Sequence, residues 1–386
     1  MLGVIADDLT GAAELGAIGL RLGLRAEILL RPFNSARPFH PRPGLLCLDT
    51  DSRSCSAAEA SRRAAAAARF LRKAGATFIY KKTDSVLRGQ VTAEIQSIMG
   101  ALQLEAALLV PANPSLGRTI RNGHYFIHGR PIDKTDFSRD PVHPRNSSLV
   151  TELLSKPKSR RIFICNPHEA LPPSGITIGN ATTPDHLQQW ASQASPRILA
   201  AGGAEFFAAL LHHGANLRKH GAAAGKPCAL SERTPQFFVC GSTSQSTQQF
   251  IAAQRKLGTP LFSLPPELAR SSVLTGSRVR QIATAAIAAL RSSPRILLHV
   301  GLPLLRHPAV AKNLSVQLVR IAALVLKRAP VGHVFVEGGA TAVELVRAMR
   351  VRRLMVLNEL APGVATLAVD SKLLLTMKPG SYRWPF

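Results

Sequence analysis

The sequence predicts an α/β protein of two domains, each built on a mainly parallel sheet flanked by helices. Three observations carry that expectation. Strand-like apolar runs alternate with helical patterns from end to end, as βα crossovers in parallel sheets require. At 386 residues the chain exceeds the usual single hydrophobic core. A hydrophobic content of 46% with only 5% aromatic residues fits an Ala/Leu/Val-rich α/β protein and not a disordered one.

Taken in order, the first half reads as a strand at 2–6, a helix at 11–23, strands at 25–30 and 44–49, and a helix at 57–74. A strand at 77–81, a helix near 91–102 and a strand at 106–110 follow. Residues 111–147 form a long Pro/Gly/Asn/Arg-rich stretch with one hairpin, His124 to Ile132. A stretch this long inside a domain is functional or disordered, and its polar content points to function. Further β/α units run to about residue 213, giving a first domain of 1–213. Residues 214–235 are small, polar and basic and read as an interdomain linker. The second domain, 236–386, opens with the strand Gln236 to Cys240. It continues through a strand at 295–300, a helix at 309–328, a strand at 331–336 and a helix at 340–350, with only strands over 353–377.

Composition narrows the function classes. Asp7 and Asp8 interrupt the first apolar run, unlike a signal peptide, and the segment from Leu318 to Leu326 is broken by Arg320. The expected setting is cytoplasmic, with no membrane partner. Cys47, Cys55, Cys165, Cys228 and Cys240 show no zinc or redox spacing and read as reduced thiols. No metal ligand is identified; His212-His213 before Gly214 reads as a helix end. The net charge of +25 argues for anionic partners. Its spread along the chain, without a helix-turn-helix or zinc finger, favours phosphorylated or carboxylated small molecules over nucleic acid.

Chemistry concentrates at the ends of predicted strands, where open α/β sheets bind ligands. Asp7 and Asp8 follow the first strand. Either Asp8 or Thr10 suffices to cap the next helix, which leaves a carboxylate for binding a polyol or acting as general base. The Asp-x-Asp-x-Thr spacing of phosphatases is absent. Lys81-Lys82-Thr83-Asp84-Ser85-Val86-Leu87-Arg88-Gly89 follows another strand; Lys82, Asp84, Ser85 and Arg88 offer charge and hydrogen bonds to an anion. Arg118 and Arg139 lie in the long loop and are expected to close one wall of that site. In the second half, Gly241-Ser242-Thr243-Ser244-Gln245-Ser246-Thr247 precedes a helix at Gln248 to Gln254. Gly338-Gly339-Ala340-Thr341 precedes one at Val343 to Met349. Exposed amides and hydroxyls there suit phosphate, although neither loop has the Walker A or dinucleotide pattern. Lys378 follows an apolar strand and is expected to reach a phosphate.

These segments, in this order, resemble the four-carbon acid sugar kinase family. Ile5 to Ala12 looks like its N-terminal signature, and Lys81 to Gly89 its Lys-Lys-x-Asp-Ser-Thr-Leu-Arg-Gly segment with Val86 for threonine. Pro111 to Thr119, Arg139 to Ser148 and Gly241 to Gln249 are similar to three further family motifs. The resemblance implies an N-terminal domain holding a four-carbon sugar acid and a C-terminal domain holding ATP with Mg2+. Ser242, Gly338 to Thr341 and Gly380 would contact nucleotide, and Ser244 belongs to the same loop. The reaction implied is phosphorylation of threonate, erythronate or 3-oxo-tetronate; a non-catalytic sugar-acid or nucleotide sensor is the alternative. Assembly, including a homo-oligomer, stays open. This chain departs from the family at Ala340, usually aspartate, at Asn358 before Glu359, and at Asn180 in the Asp-Ala-x-Thr segment.

Overall fold

A computed structural model describes residues 1–33, 42–139, 144–154, 160–214, 234–266, 268, 273–301, 308–380 and 382–386. The chain divides into two units, Met1–Gly225 and Lys226–Phe386. Nearly all of the linker expected at 214–235 lies outside the described residues, as does Cys228.

In the first unit the strands are β1 (Leu2–Ala6), β2 (Ala26–Leu30), β3 (Leu45–Asp49), β4 (Phe78–Lys82) and β5 (Ala106–Val110). After β6 (Arg118–Arg121), β7 (His124–Ile127) and β8 (Arg130–Pro131) come β9 (Ile162–Cys165), β10 (Gly175–Gly179) and β11 (Ile198–Gly202). The main sheet runs β2-β3-β1-β4-β11-β5-β10-β9, and every pairing is parallel. Its strands are apolar runs rather than alternating patterns because both faces are covered. The helices are α1 (Leu9–Arg21), α2 (Ala57–Lys73), α3 (Val91–Leu102), the short α4 (Val150–Leu153), α5 (Pro184–Gln193) and α6 (Ala204–His213). Helix α1 begins at Leu9, two residues before the expected start, because Asp8 caps it.

The long loop is more ordered than one hairpin. Strands β6, β7 and β8 form a separate antiparallel sheet. Its turns are Asn122-Gly123, with φ of 49° and 74°, and His128-Gly129, with φ of 47° and 76°. Paired positive φ angles make hairpin turns whose twist matches the strands, and Asn-Gly supplies them with least strain.

The second unit contains β12 (Gln236–Cys240), α7 (Gln245–Lys256), β13 (Leu261–Ser263), α8 (Gly276–Ala289), β14 (Arg295–His299), α9 (Pro308–Arg328), β15 (His333–Glu337) and α10 (Gly339–Ala348). It ends with β16 (Arg353–Ala361), β17 (Val364–Ala368) and β18 (Leu374–Lys378). Its strands run β13-β14-β12-β15-β18-β17-β16, parallel as far as β18 and antiparallel beyond. Phe238, Cys240, Leu297, Phe335, Val364 and Trp384 form a core cluster; Phe238 and Phe335 stack with centroids 4.5 Å apart. Among the described residues, no helix is long and apolar enough to cross a membrane.

Candidate active site

The register of the first sheet assembles one charged edge. Ala6 pairs with Asp49 and Ile5 with Lys81, so the segments leaving β1, β3 and β4 emerge together. Asp8 is the N-cap of α1, its Oδ1 accepting the Gly11 amide at 2.7 Å. Its other oxygen faces Arg53, as does Asp7. The Arg53 Nε and Nη2 donate to Asp7 at 2.8 and 2.9 Å, while Nη1 lies 2.6 Å from Asp8 Oδ2 and 3.8 Å from Asp84 Oδ1. One guanidinium therefore ties three carboxylates together.

Arg53 lies outside the sequence motifs, though a signal for it exists. Asp49-Thr50-Asp51-Ser52-Arg53 leaves β3 as Asp7-Asp8 leaves β1. Its loop is pinned by the Thr50 amide on Ala6 O and the Ser52 amide on Asp7 O, both at 2.9 Å.

Asp84 organises the turn after β4. Its carboxylate accepts the Val86 and Arg88 amides at 3.1 Å each, and the Arg88 guanidinium at 3.0 and 2.9 Å. Arg88, expected to face an anion, thus holds Asp84 with part of its fork. Gly89 closes the turn at φ 88°, where an added Cβ would lie 3.3 Å from Asp7 Oδ2. Lys82 and Lys81 point to opposite faces of β4, as strand residues do. Lys82 Nζ lies 3.1 Å from Glu14 on α1; the fully buried Lys81 Nζ lies 2.8 Å from Glu94 on α3. Glu94 also accepts the Ser52 hydroxyl, linking α3 to the Arg53 loop. Arg118 donates to Ser85 Oγ, and Tyr125 donates to Ser85 O. The structure so brings together Asp7, Asp8, Lys82, Asp84, Ser85, Arg88 and Arg118. Arg139 ends a short turn, and its side chain lies outside the described residues.

The electrostatics separate these carboxyls. Burial works against ionisation of Asp7, but Arg53 and Lys81 outweigh it and hold the group below its ordinary value. Burial, opposed by Arg53 but reinforced by Asp7, leaves Asp8 raised. Burial of Asp84 is overcome by Arg53 and Arg88, which keep it well below the usual carboxylate range. Burial and the neighbouring Asp51 push Asp49 up to about 8. An ionised carboxylate beside a more basic one is an arrangement that can bind hydroxyls and accept a proton.

The second unit builds its loops from backbone and hydroxyls. Ser244 caps α7 by accepting the Thr247 amide at 3.3 Å, so the helix starts at Gln245, three residues before the expected Gln248. Ser242 and Ser244 hydroxyls donate to Gly380 O at 3.2 and 2.8 Å, bringing these three predicted residues together. Gly338 has φ 98°, and no side chain caps α10 after it; the exposed Ala340 lies in its first turn. Thr341 is buried, and a Cβ on Gly241 would come within 1.9 Å of its Oγ1.

Lys378 differs from expectation. It pairs in register with Glu337, is 1% exposed, lies 3.2 Å from the Glu337 carboxylate, and donates to Tyr382 O at 2.7 Å. Adjacent parallel strands force this buried pair, and Thr247 donates to the other Glu337 oxygen. Burial lowers the Lys378 pKa and raises that of Glu337, each effect opposed by the partner. Among the described residues no group of three or more His, Cys, Asp or Glu side chains is placed to hold a metal ion. With Glu337 engaged and Ala340 apolar, these loops do not form a protein cage for Mg2+.

Fold and loops together define a two-domain α/β protein, one domain with charged side chains at its strand ends and the other with glycine backbone and hydroxyls there. Residues 2–210 match the sugar-binding N-terminal domain family and residues 237–382 the nucleotide-binding C-terminal domain family. The chain belongs to the four-carbon acid sugar kinase family. It is 35% identical over 153 residues to the D-threonate kinase of Salmonella typhimurium, covering 39% of this chain and 36% of that protein. That match spans about a third of the relative's length. To the 3-oxo-tetronate kinase of Cupriavidus necator it is 27% identical over 420 residues, covering 100% of this chain and 95% of that protein. A solved Salmonella typhimurium LT2 structure shares the fold at TM-score 0.82 and 21% identity, over 99% of this chain and 96% of that one. A Haemophilus influenzae protein does so at TM-score 0.74 and 21% identity, over 98% and 96%.

Proposed function

We propose that the protein is an ATP-dependent kinase that phosphorylates a hydroxyl of a four-carbon sugar acid of the threonate, erythronate or 3-oxo-tetronate type. The observation that carries this reading is the co-occurrence on one chain of the sugar-binding and nucleotide-binding family domains, with the Arg53-centred carboxylates inside the first. Asp7 and Asp8 would receive the substrate hydroxyls. Asp8, with its raised pKa, is the better proton acceptor. Lys82, Arg88 and Arg118 would face the acid carboxylate. Asp8 takes the hydroxyl proton, the freed oxygen bonds to the γ-phosphorus, and the bond to the bridging oxygen breaks to release ADP. Phosphoryl transfer of this kind rests on positioning and charge neutralisation. Ser242, Ser244, Gly338, Gly339, Ala340, Thr341 and Gly380 would line the nucleotide phosphates through amides and hydroxyls. Lys378 supports that loop set through Glu337 and Tyr382 and is not assigned a phosphate contact.

The test is ADP release by purified protein given Mg-ATP and a panel of threonate and erythronate stereoisomers with 3-oxo-tetronate. Turnover that depends on one of these acids is expected. Absence of acid-dependent turnover across the panel, with ATP bound, would contradict the substrate class.

A further inference from the structure

A cavity of about 440 Å³ opens in the first unit on the outer side of α2, lined by Arg31 and Phe33 after β2 and by Glu59, Arg62, Arg63 and Phe70 of the helix. Three guanidinium groups converge there on one carboxylate. Arg62 pairs with Glu59, Arg63 Nε lies 2.6 Å from it, and Arg31 Nη1 lies 3.9 Å from it. These lining side chains carry three positive charges against one negative. Phe33 and Phe70, with ring centroids 6.0 Å apart, add an apolar wall. The volume falls in the range of small-molecule sites, about 300–1,000 Å³. Guanidinium forks match phosphate oxygens in pairs, and ring faces take a flat apolar body.

We propose that this cavity is an effector site for a small phosphorylated ligand with a planar apolar body, and that Arg63 transmits its occupancy to the carboxylate site. Arg63 belongs to both places. Besides lining the cavity, its Nη1 donates to Thr50 O at 3.3 Å and to Asp51 O, and lies 3.6 Å from the Asp51 carboxylate. The next two amides, Ser52 and Arg53, donate to Asp7 O at 2.9 and 3.3 Å, and the Arg53 side chain holds Asp7 and Asp8. A phosphate that engages the Arg63 guanidinium competes with those carbonyls and loosens the Arg53 loop. Coupling of this kind is reciprocal, so a ligand at Asp7 and Asp8 also shifts affinity at the cavity.

The test uses the full chain and does not depend on the kinase reading. Calorimetric titration with phenyl phosphate is compared with inorganic phosphate. Phenyl phosphate is expected to bind at least fivefold tighter. Arg62→Ala, whose side chain is 74% exposed, is expected to weaken phenyl phosphate binding at least threefold. Glu59→Gln removes the competing carboxylate and is expected to tighten it at least threefold. These opposite signs separate a charge effect from loss of fold. Affinity unchanged in both variants, or no advantage over inorganic phosphate, would overturn the site. Hydrogen exchange at the Ser52 and Arg53 amides reads the coupling: saturating phenyl phosphate should speed it at least twofold. Unchanged exchange with binding intact would overturn the transmission through Arg63.

Discussion

The two units line their strand ends with opposite materials. In the first, side-chain charge dominates: Arg53 gathers Asp7, Asp8 and Asp84, while Lys81 and Lys82 are held by Glu94 and Glu14. In the second, the loops consist of half-buried glycine backbone and serine hydroxyls and the uncapped start of α10. The charged pair there, Glu337 and Lys378, is buried and self-compensating. A charge-built site discriminates by protonation state and by the placement of hydroxyls. A backbone-built loop discriminates by shape, and is sensitive to a single added methyl group. The proposed function would place a substrate acid in the first unit and a phosphate chain in the second.

The comparison can be broken most severely at Asp8. Asn caps helices as well as Asp does, so Asp8→Asn should leave thermal stability within about 0.5 kcal/mol. Acid-dependent ADP release should nevertheless fall about 10²–10⁴-fold, the usual worth of a positioned general base. A comparable loss of stability and activity would reduce Asp8 to a cap.

Lys378 tests the second unit. Lys378→Met strands Glu337 in the core and should cost about 3–5 kcal/mol in urea unfolding. The double variant Lys378→Met with Glu337→Gln should recover most of that and keep ADP affinity. Loss of ADP binding in the stable double variant would return Lys378 to the phosphates. Gly241→Ala asks a smaller question. Its methyl group collides with Thr341 Oγ1, and the overpacking should weaken ADP binding about tenfold in calorimetry with sugar-acid affinity unchanged.

A separate effect concerns acid. Burial lowers the His333 pKa to about 4, where its ring bonds Thr376 at 2.7 Å. The unfolded imidazole titrates near 6.5, so below that pH the unfolded state binds more protons. The stabilisation present above about pH 6.5 is therefore lost as pH falls towards 4. Scanning calorimetry should show the melting temperature dropping roughly 6–12 °C over that interval, and His333→Gln should flatten the slope.

Much of this contrast is legible in the chain. Apolar runs ending in Asp7-Asp8 and in Lys82-Thr83-Asp84 mark strand ends whatever the tertiary partners are, and the Gly/Ser loops announce helix starts. What the sequence conceals is pairing between distant elements. Arg53 reads as an ordinary loop residue until the register sets β3 beside β1. Lys378 reads as a strand-end cation free to reach a ligand until β18 is laid beside β15 and Glu337 meets it. Lys81 and Lys82 are neighbours in sequence, yet alternation along β4 sends them to different helices. The turn at Asn122-Gly123 is a local signal, and it makes Arg118 part of a strand.

The division of labour is tested most directly by titrating the full chain, by calorimetry, with a substrate sugar acid and with ADP, in wild type, Arg53→Lys and Gly241→Ala. Lysine keeps the charge of Arg53 but not its fork, so it cannot hold three carboxylates in one geometry. Arg53→Lys is expected to lose sugar-acid affinity at least tenfold with ADP unaffected, and Gly241→Ala to do the reverse. Loss of ADP binding in Arg53→Lys, or of sugar-acid binding alone in Gly241→Ala, would contradict the assignment of acid to the first unit and nucleotide to the second.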